Sequence, residues 1–398
     1  MLSYATIELM RAKSIALVLD SAPQSWQSQD DLHYGICREL QRRGWGTVIV
    51  HSGPIGESVR KRYLAAGIHL ECCNHGLGTV SYFRGLRRIV REYNVQLADI
   101  CFFNHFQWPG WIARLAGIPQ LVFTEVSSGF SRATGWKLSL LFLRAAVTTW
   151  PYSRLIAISG FVRDQLCRVG IARQRFTVVH GGVDTTRFHP DDAVRRRVRE
   201  ELGIEDGELL LVSLNYLKAF KRVDIQLNAC AILKKRGLRF RLIIGGDGPM
   251  RTGLERQASQ LGLTPGTVTF VGHQTQPQRL VQAADLFLHS AEGEAFGLVL
   301  AEALACGTPI AGSVSGSLPE IVINGENGWL AEPDNPDSFA SAIERLISDR
   351  EQLERMRLTA RRYAEEKFPV SLEVARTVAV YESIGALQPQ KPLVVAAR

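Results

Sequence analysis

The stretch ADLFLHSAEGEAFGLVLAEALACGTPIAGS, residues 284–313, reads as strand, helix, strand. Residues 284–290 and 308–313 are short apolar runs, the second with Gly307 and Pro309 at its start, and read as buried strands. Between them, residues 296–306 form a helix pattern in which Leu298, Val299, Leu300, Ala301, Ala303, Leu304 and Ala305 are all apolar. Glu302 stands inside that run, and a second carboxylate, Glu294, precedes it by eight positions. Burying an unpaired carboxylate costs several kcal/mol, comparable with the whole margin of a domain. A strand feeding directly into a helix gives such a carboxylate a use. The helix then starts at the carboxyl end of the sheet, where its free N–H groups and its dipole stabilise an anion.

The same alternation extends in both directions. Upstream in the second half, 208–215, 240–249 and 267–273 read as strands, with helices over 221–236, 249–262 and 276–283, and 328–333 closes the sheet. The first half repeats the pattern independently. Residues 14–20, 46–52, 97–105, 119–126 and 154–159 are strands, and a helix over 30–43 ends at Gly44. Strand–helix alternation at this spacing implies parallel strands with crossover helices. At 398 residues the chain is long enough for two such units. The expected architecture is α/β, with two Rossmann-like parallel-sheet domains facing an interdomain cleft. The expected domains are 1–190 and 191–372, followed by a helix in 373–398 that returns to the first domain before a loose tail.

Composition excludes several classes. No apolar run approaches the roughly 18–20 residues of a spanning helix, and the N-terminus lacks the basic-then-apolar order of a secretion signal. The seven cysteines show no ligand spacing and read as small buried residues in a reducing cytoplasm. Charge is uneven: residues 1–190 hold 22 Lys and Arg against 12 Asp and Glu, while the rest hold 25 against 27. The first half is therefore expected to meet something anionic. Arg84, Arg87, Arg88 and Arg91 share one helical face by spacing. Residues 136–150 read either as a core helix or, through Trp136, Leu140, Leu141 and Phe142, as a contact with lipid.

The motif EAFGLVLAE (294–302), followed by ALACGTPIAG and GSLPEIVINGENGWLAEP, resembles the retaining nucleotide-sugar glycosyltransferases of GT-B fold, in the large family-four, group 1 class. LIAISGFVRDQL (155–166), VVHGGVDTTRFHP (178–190), FKRVD (220–224) and IIGGDGP (243–249) carry the likeness over most of the chain. It implies a hexosyltransferase using a nucleoside diphosphate sugar. Glu302 would accept from the ribose hydroxyls and Glu294 would contact the transferred hexose. Phe296, Gly297 and Leu298 would offer backbone at the sugar and diphosphate, and Gly246 and Gly248 would form the glycine loop. Lys221 takes the place of the phosphate-binding lysine. Asn215 and Tyr216 stand where an arginine is usual, with Lys218 as its substitute and Arg222 beside the site. His105 resembles the histidine that touches the sugar near its anomeric carbon, whereas His289 stands at a usual proline and reads as structural.

The class implies front-face substitution, in which the leaving phosphate oxygen helps to remove the acceptor proton and no protein nucleophile is needed. No cofactor and no metal are expected, since the sequence shows no acidic metal-binding cluster. The expected partners are a nucleotide sugar, a glycan or lipid-linked acceptor and the anionic inner face of a membrane, with no nucleic acid. Two departures lie in the first half: DSAPQSWQSQDDLHYG (20–35) lacks the usual adjacent glycines, and TEVSSG (124–129) replaces a Thr-x-His. They leave the acceptor open. They also support a second reading, a nucleotide-sugar-binding subunit that has lost transfer. A third, a sugar-nucleotide epimerase, rests on the fold alone.

Overall fold

The computed structural model describes residues 13–74, 79–103, 108–127, 136–385 and 387, with the side chains of 136–139 left undescribed. The chain divides into two compact units, Met1–Gly181 with Val370–Arg398, and Gly182–Pro369. The division falls earlier than the joint read at 190, because Val183 N–H donates to Phe368 O at 2.8 Å and Phe188 is buried.

In the first unit the order is β1 (Ser14–Leu19), α1 (Ser28–Arg42), β2 (Gly46–His51), α2 (Glu57–Ala65), β3 (His69–Cys72), α3 (Thr79–Glu92) and β4 (Val95–Cys101). It continues through α4 (Pro109–Ala116), β5 (Gln120–Glu125), α5 (Trp136–Thr149), β6 (Arg154–Ala157), α6 (Gly160–Arg168) and β7 (Phe176–Val178). The seven strands run in the order β3-β2-β1-β4-β5-β6-β7, with parallel pairing throughout. β1, β2 and most of β4 are buried, as expected of strands covered by helices on both faces.

Three strands differ from expectation. The strand expected over 97–105 ends at Cys101, because Phe102 takes φ 67°, a left-handed conformation that a strand cannot continue through. β3 and β7 were not foreseen: both are edge strands without a fully buried residue, so neither shows an apolar run. The expectation that the cysteines are buried holds for Cys37, Cys73, Cys101, Cys230 and Cys306, but Cys72 is exposed and Cys167 half-buried.

The second unit holds α7 (Asp192–Glu201), β8 (Leu209–Leu214), α8 (Val223–Lys235), β9 (Phe240–Gly245), α9 (Arg251–Gln260), β10 (Val268–Gly272), α10 (Pro277–Ala283) and β11 (Leu286–His289). Then come α11 (Leu298–Ala305), β12 (Ile310–Ser313), α12 (Leu318–Ile321), β13 (Gly328–Ala331), α13 (Pro336–Ile347) and α14 (Arg350–Lys367). Its sheet runs β10-β9-β8-β11-β12-β13, also parallel. Strand order reverses between β8 and β11, and such a switch point opens a crevice at the strands' carboxyl ends.

α15 (Val370–Ser383) returns to the first unit and packs on α1, where Gly35 leaves room for Val374: a Cβ there would lie 2.7 Å from its methyl. Tyr381 on α15 donates to buried Asp99 on β4 at 2.6 Å, and Thr124 donates to the other oxygen at 2.8 Å. Among the described residues no helix is long and apolar enough to cross a membrane.

Candidate functional site

The segments after β8 and β11 meet at the switch point of the second sheet. After β8 the chain makes a short 3-10 turn, Ala219–Lys221, and Arg222 leaves it at φ 49°. The segment after β11 holds this turn at several points. Glu292 N–H donates to Phe220 O at 2.7 Å, and the Ser290 hydroxyl lies 3.0 Å from Lys221 O and 2.7 Å from Arg222 O. Buried Gln226 on α8 donates to the same hydroxyl at 2.9 Å. These bonds fix Lys221 opposite Glu294, and Nζ lies 2.5 Å from Oε2. The two side chains are only 15% and 11% exposed, so the ion pair is shielded from solvent on most sides.

A second donor reaches the same oxygen: His289 Nε2 lies 2.9 Å from Oε2 of Glu294. Burial alone would raise the Glu294 carboxyl, but the His289 ring and the Lys221 ammonium outweigh it and hold the group at about 2. Burial also pushes His289 below its ordinary value, against the pull of Glu294. The carboxylate is therefore ionised and the imidazole neutral. With both donors on Oε2, Oε1 has no protein partner among the described residues.

The backbone of Glu294 is held from the other side by residues 315–317. Gly293 N–H donates to Ser315 Oγ at 2.8 Å, Ser317 N–H to Glu294 O at 3.0 Å and Ser317 Oγ to Phe296 O at 3.1 Å. Gly316 sits at φ 60°, and a Cβ there would fall 2.3 Å from both N and O of Glu294. Only glycine fits, which gives GSLPE its first letter a physical reason. Gly246 is constrained in the same way: its Cβ would fall 1.8 Å from Asn215 O. Gly248 likewise lies against the Leu217 backbone. The glycine loop is thus pressed onto the segment that leads to Lys221, with Leu217 N–H donating to Asp247 O at 2.8 Å.

The helix expected over 296–306 is Leu298–Ala305, with Gly297 at φ 76° as its cap. The first N–H groups of any α-helix lack partners a turn back; here Gly297 caps the helix without a side-chain bond, and Leu300 N–H turns back to Gly297 O at 2.8 Å. Glu302 stands on α11, 7% exposed, one turn in from that end. Phe296 is buried with its ring 5.5 Å from that of Phe368, and its carbonyl accepts from Ser317 Oγ, so it anchors the loop.

The remaining predicted residues are placed less uniformly. Asn215 is buried, donates to Ser213 Oγ at 2.7 Å, and leaves Oδ1 without a hydrogen-bond partner among the described residues. Lys218 is exposed, with Nζ 5.0 Å from the ring centre of Tyr216. Arg222 pairs with Asp224 at 3.1 Å and with Asp334, not with Glu294. His105 lies outside the described residues. His289, read from the sequence as structural, proves to be one of the two donors on Glu294. A strand ending directly before a carboxylate loop was the only signal that could have shown it.

The arrangement offers an ammonium and free helix N–H groups for an anion, flanked by two carboxylates for hydroxyl groups. Residues 194–363 match the family model of glycosyl transferases group 1, and residues 34–187 match that of glycosyltransferase family 4. A D-inositol 3-phosphate glycosyltransferase of Rhodococcus erythropolis is 37% identical over 202 residues, 48% of this chain and 45% of its own. A GDP-mannose-dependent alpha-(1-6)-phosphatidylinositol dimannoside mannosyltransferase of Mycobacterium tuberculosis is 34% identical over 220 residues, 55% of each chain. The chain spans about half the length of the curated relatives it matches. Among solved structures, Anabaena HepE in complex with UDP and glucose aligns at a TM-score of 0.78 and 20% identity, over 93% of this chain and 100% of its own. WaaG, a glycosyltransferase involved in lipopolysaccharide biosynthesis, aligns at 0.70 and 17%, over 92% and 99%. The structural likenesses establish the GT-B fold. The chain thus carries a glycosyl transferases group 1 domain in its second unit and a glycosyltransferase family 4 domain over most of its first.

Proposed function

We propose that the chain is a retaining glycosyltransferase that moves a hexosyl group from a nucleoside diphosphate sugar to a glycan or lipid-linked acceptor. The observation that carries this reading is the shielded Lys221–Glu294 pair at 2.5 Å, set beside the start of α11 with Glu302 one turn inside. Lys221 and the helix N-terminus receive the diphosphate and stabilise the charge that develops as it leaves. Glu302 accepts from the ribose and Glu294 from the hexose. The leaving phosphate oxygen takes the acceptor proton, so the substitution needs no protein nucleophile and no metal. The named substrates of relatives support this donor class: one is GDP-mannose-dependent, and HepE is seen with UDP and with UDP-glucose.

We also propose that the first unit docks on an anionic membrane surface, where a lipid-linked acceptor would lie. Leu140, Leu143, Val147 and Trp150 are exposed at a spacing that aligns them on one face of α5 and its end. Arg84, Arg87 and Arg91 on α3 are exposed and pair with no carboxylate among the described residues.

A panel of UDP- and GDP-sugars, followed for transfer, hydrolysis and change of the free sugar, tests the reading. Transfer or slow hydrolysis of one donor is expected. Tight binding without turnover would instead make the chain a sugar-nucleotide-binding subunit, and conversion of the free sugar nucleotide an epimerase.

A further inference from the structure

His289 ends β11 and is wholly buried. A neutral imidazole that faces an ionised carboxylate oxygen at 2.9 Å must present an N–H to it, so Nε2 carries the proton and Nδ1 is bare. Nδ1 is accordingly buried with no hydrogen-bond partner among the described residues. The two donors on Oε2 differ in freedom. Lys221 arrives from a loop on a flexible four-carbon stem. The ring of His289 stands on a strand, where His289 aligns with Gly312 of β12. If the diphosphate takes Lys221, one of these donors leaves Oε2 and the other cannot.

We propose that His289 is a positioning residue, whose Nε2–H holds Oε2 of Glu294 while Lys221 passes to the donor's diphosphate, so that Oε1 keeps its orientation for the transferred sugar. The inference rests on the donor-site reading of Lys221 and Glu294. It assigns a role to a histidine that the sequence reading took as structural, and it makes the Lys221–Glu294 pair a resting arrangement that donor binding opens.

The test uses the full chain as wild type, H289L and H289Q, with UDP-glucose and GDP-mannose as sugar-bearing probes and UDP and GDP as probes without a sugar. Leucine keeps the volume and removes the N–H; glutamine returns an N–H near the position of Nε2. H289L should lower kcat/KM for the donor that wild type uses by about 10- to 100-fold, the loss of one hydrogen bond to a charged group. Its Kd for the matching nucleoside diphosphate should stay within about twofold, because that ligand has no sugar for Glu294 to meet. H289Q should recover most of the loss.

An H289L enzyme equal to wild type overturns the inference, and so does an equal loss for sugar nucleotide and diphosphate. Should H289L not fold, nitrogen NMR of wild-type His289 decides the matter. The expected signal is protonated Nε2 and bare Nδ1, both free and with nucleoside diphosphate bound. An Nδ1–H tautomer, or loss of the Nε2–H on binding, overturns it. A wild type that neither binds nor turns over any probe removes the donor-site reading itself, an outcome distinct from an active protein indifferent to His289.

Discussion

Burial alone would raise Glu294 above its ordinary 4.5, yet the His289 ring and the Lys221 ammonium bring it to about 2. A carboxyl depressed on folding stabilises the fold fully above its unfolded value, and the gain is lost as pH falls toward the folded value. Wild type should therefore lose a component of stability between about 4.5 and about 2 that E294Q lacks, so the gap in Tm between them should narrow through that window. A gap that stays constant with pH would show that the pair does not hold the charge. Catalytic predictions fall on Lys221 and Glu302. K221A and E302A should each remain folded and weaken donor use strongly. K221A should lower kcat by about 10²–10³, the typical loss of a donor aimed at transition-state charge. E302A should act mainly through a higher donor KM, since its ribose contact is the same in ground and transition state. Donor kinetics unchanged in both would dismiss the assignment. Since the positive charge is assigned to Lys221 and the start of α11, activity should survive excess chelator. Loss restored by a divalent ion would place the diphosphate elsewhere.

Single elements of the site exist because backbones approach each other closely. The loop of residues 315–317 can brace Glu294 only while residue 316 lacks a Cβ and tolerates φ 60°. G316A should displace the Glu294 backbone and cost about 2 kcal/mol or more, roughly 4–8 °C in Tm for a unit of this size. Donor kcat/KM should fall as well, and a fully active G316A with unchanged Tm would refute this account of the brace. The same contact shows what sequence can and cannot reveal. Strands buried on both faces, such as β1, β8 and β11, appear as apolar runs and were legible directly. β3 and β7 were not, because an edge strand needs no continuous apolar run. The expected extension of β4 past Cys101 failed at one residue, Phe102, whose left-handed φ no local pattern announces. Within the site, Glu302 was legible as an anomaly of burial. Lys221 and Glu294 are 73 positions apart, so no spacing joins them; the family resemblance named both, and only the fold brings them to one oxygen.

At the scale of the molecule, charge and apolar exposure concentrate on the first unit. α5 was open to two readings, and the structure divides its surface between them. Ala145, Thr148 and Thr149 turn inward, while Leu140, Leu143, Val147 and Trp150 are 57%, 64%, 39% and 76% exposed. α4 packs beside α5, with Trp111 Nε1 donating to Val147 O at 2.8 Å, and it adds Leu115 at 70% exposure. α3 packs beside α4 and carries Arg84, Arg87 and Arg91 exposed, while Leu86 and Ile89 are buried beneath them. Exposed apolar side chains on helices that pack beside one another mark an interaction site, and the exposed arginines of α3 select an anionic one. Each basic side chain near an anionic leaflet contributes about 1 kcal/mol, so three give reversible attachment to which the apolar stripe adds. The protein should sediment with vesicles containing anionic lipid and not with neutral ones. Binding should weaken with salt, since the Debye length falls from about 10 Å at 0.1 M to about 3 Å at 1 M. L143D should reduce attachment through the apolar stripe, and R87E through charge alone, leaving the residual binding less sensitive to salt. Both residues are exposed, so neither change should shift Tm by more than the small effect of a surface substitution. Absence of binding at low salt would leave the arginines as solvated charge and point to an acceptor taken from solution.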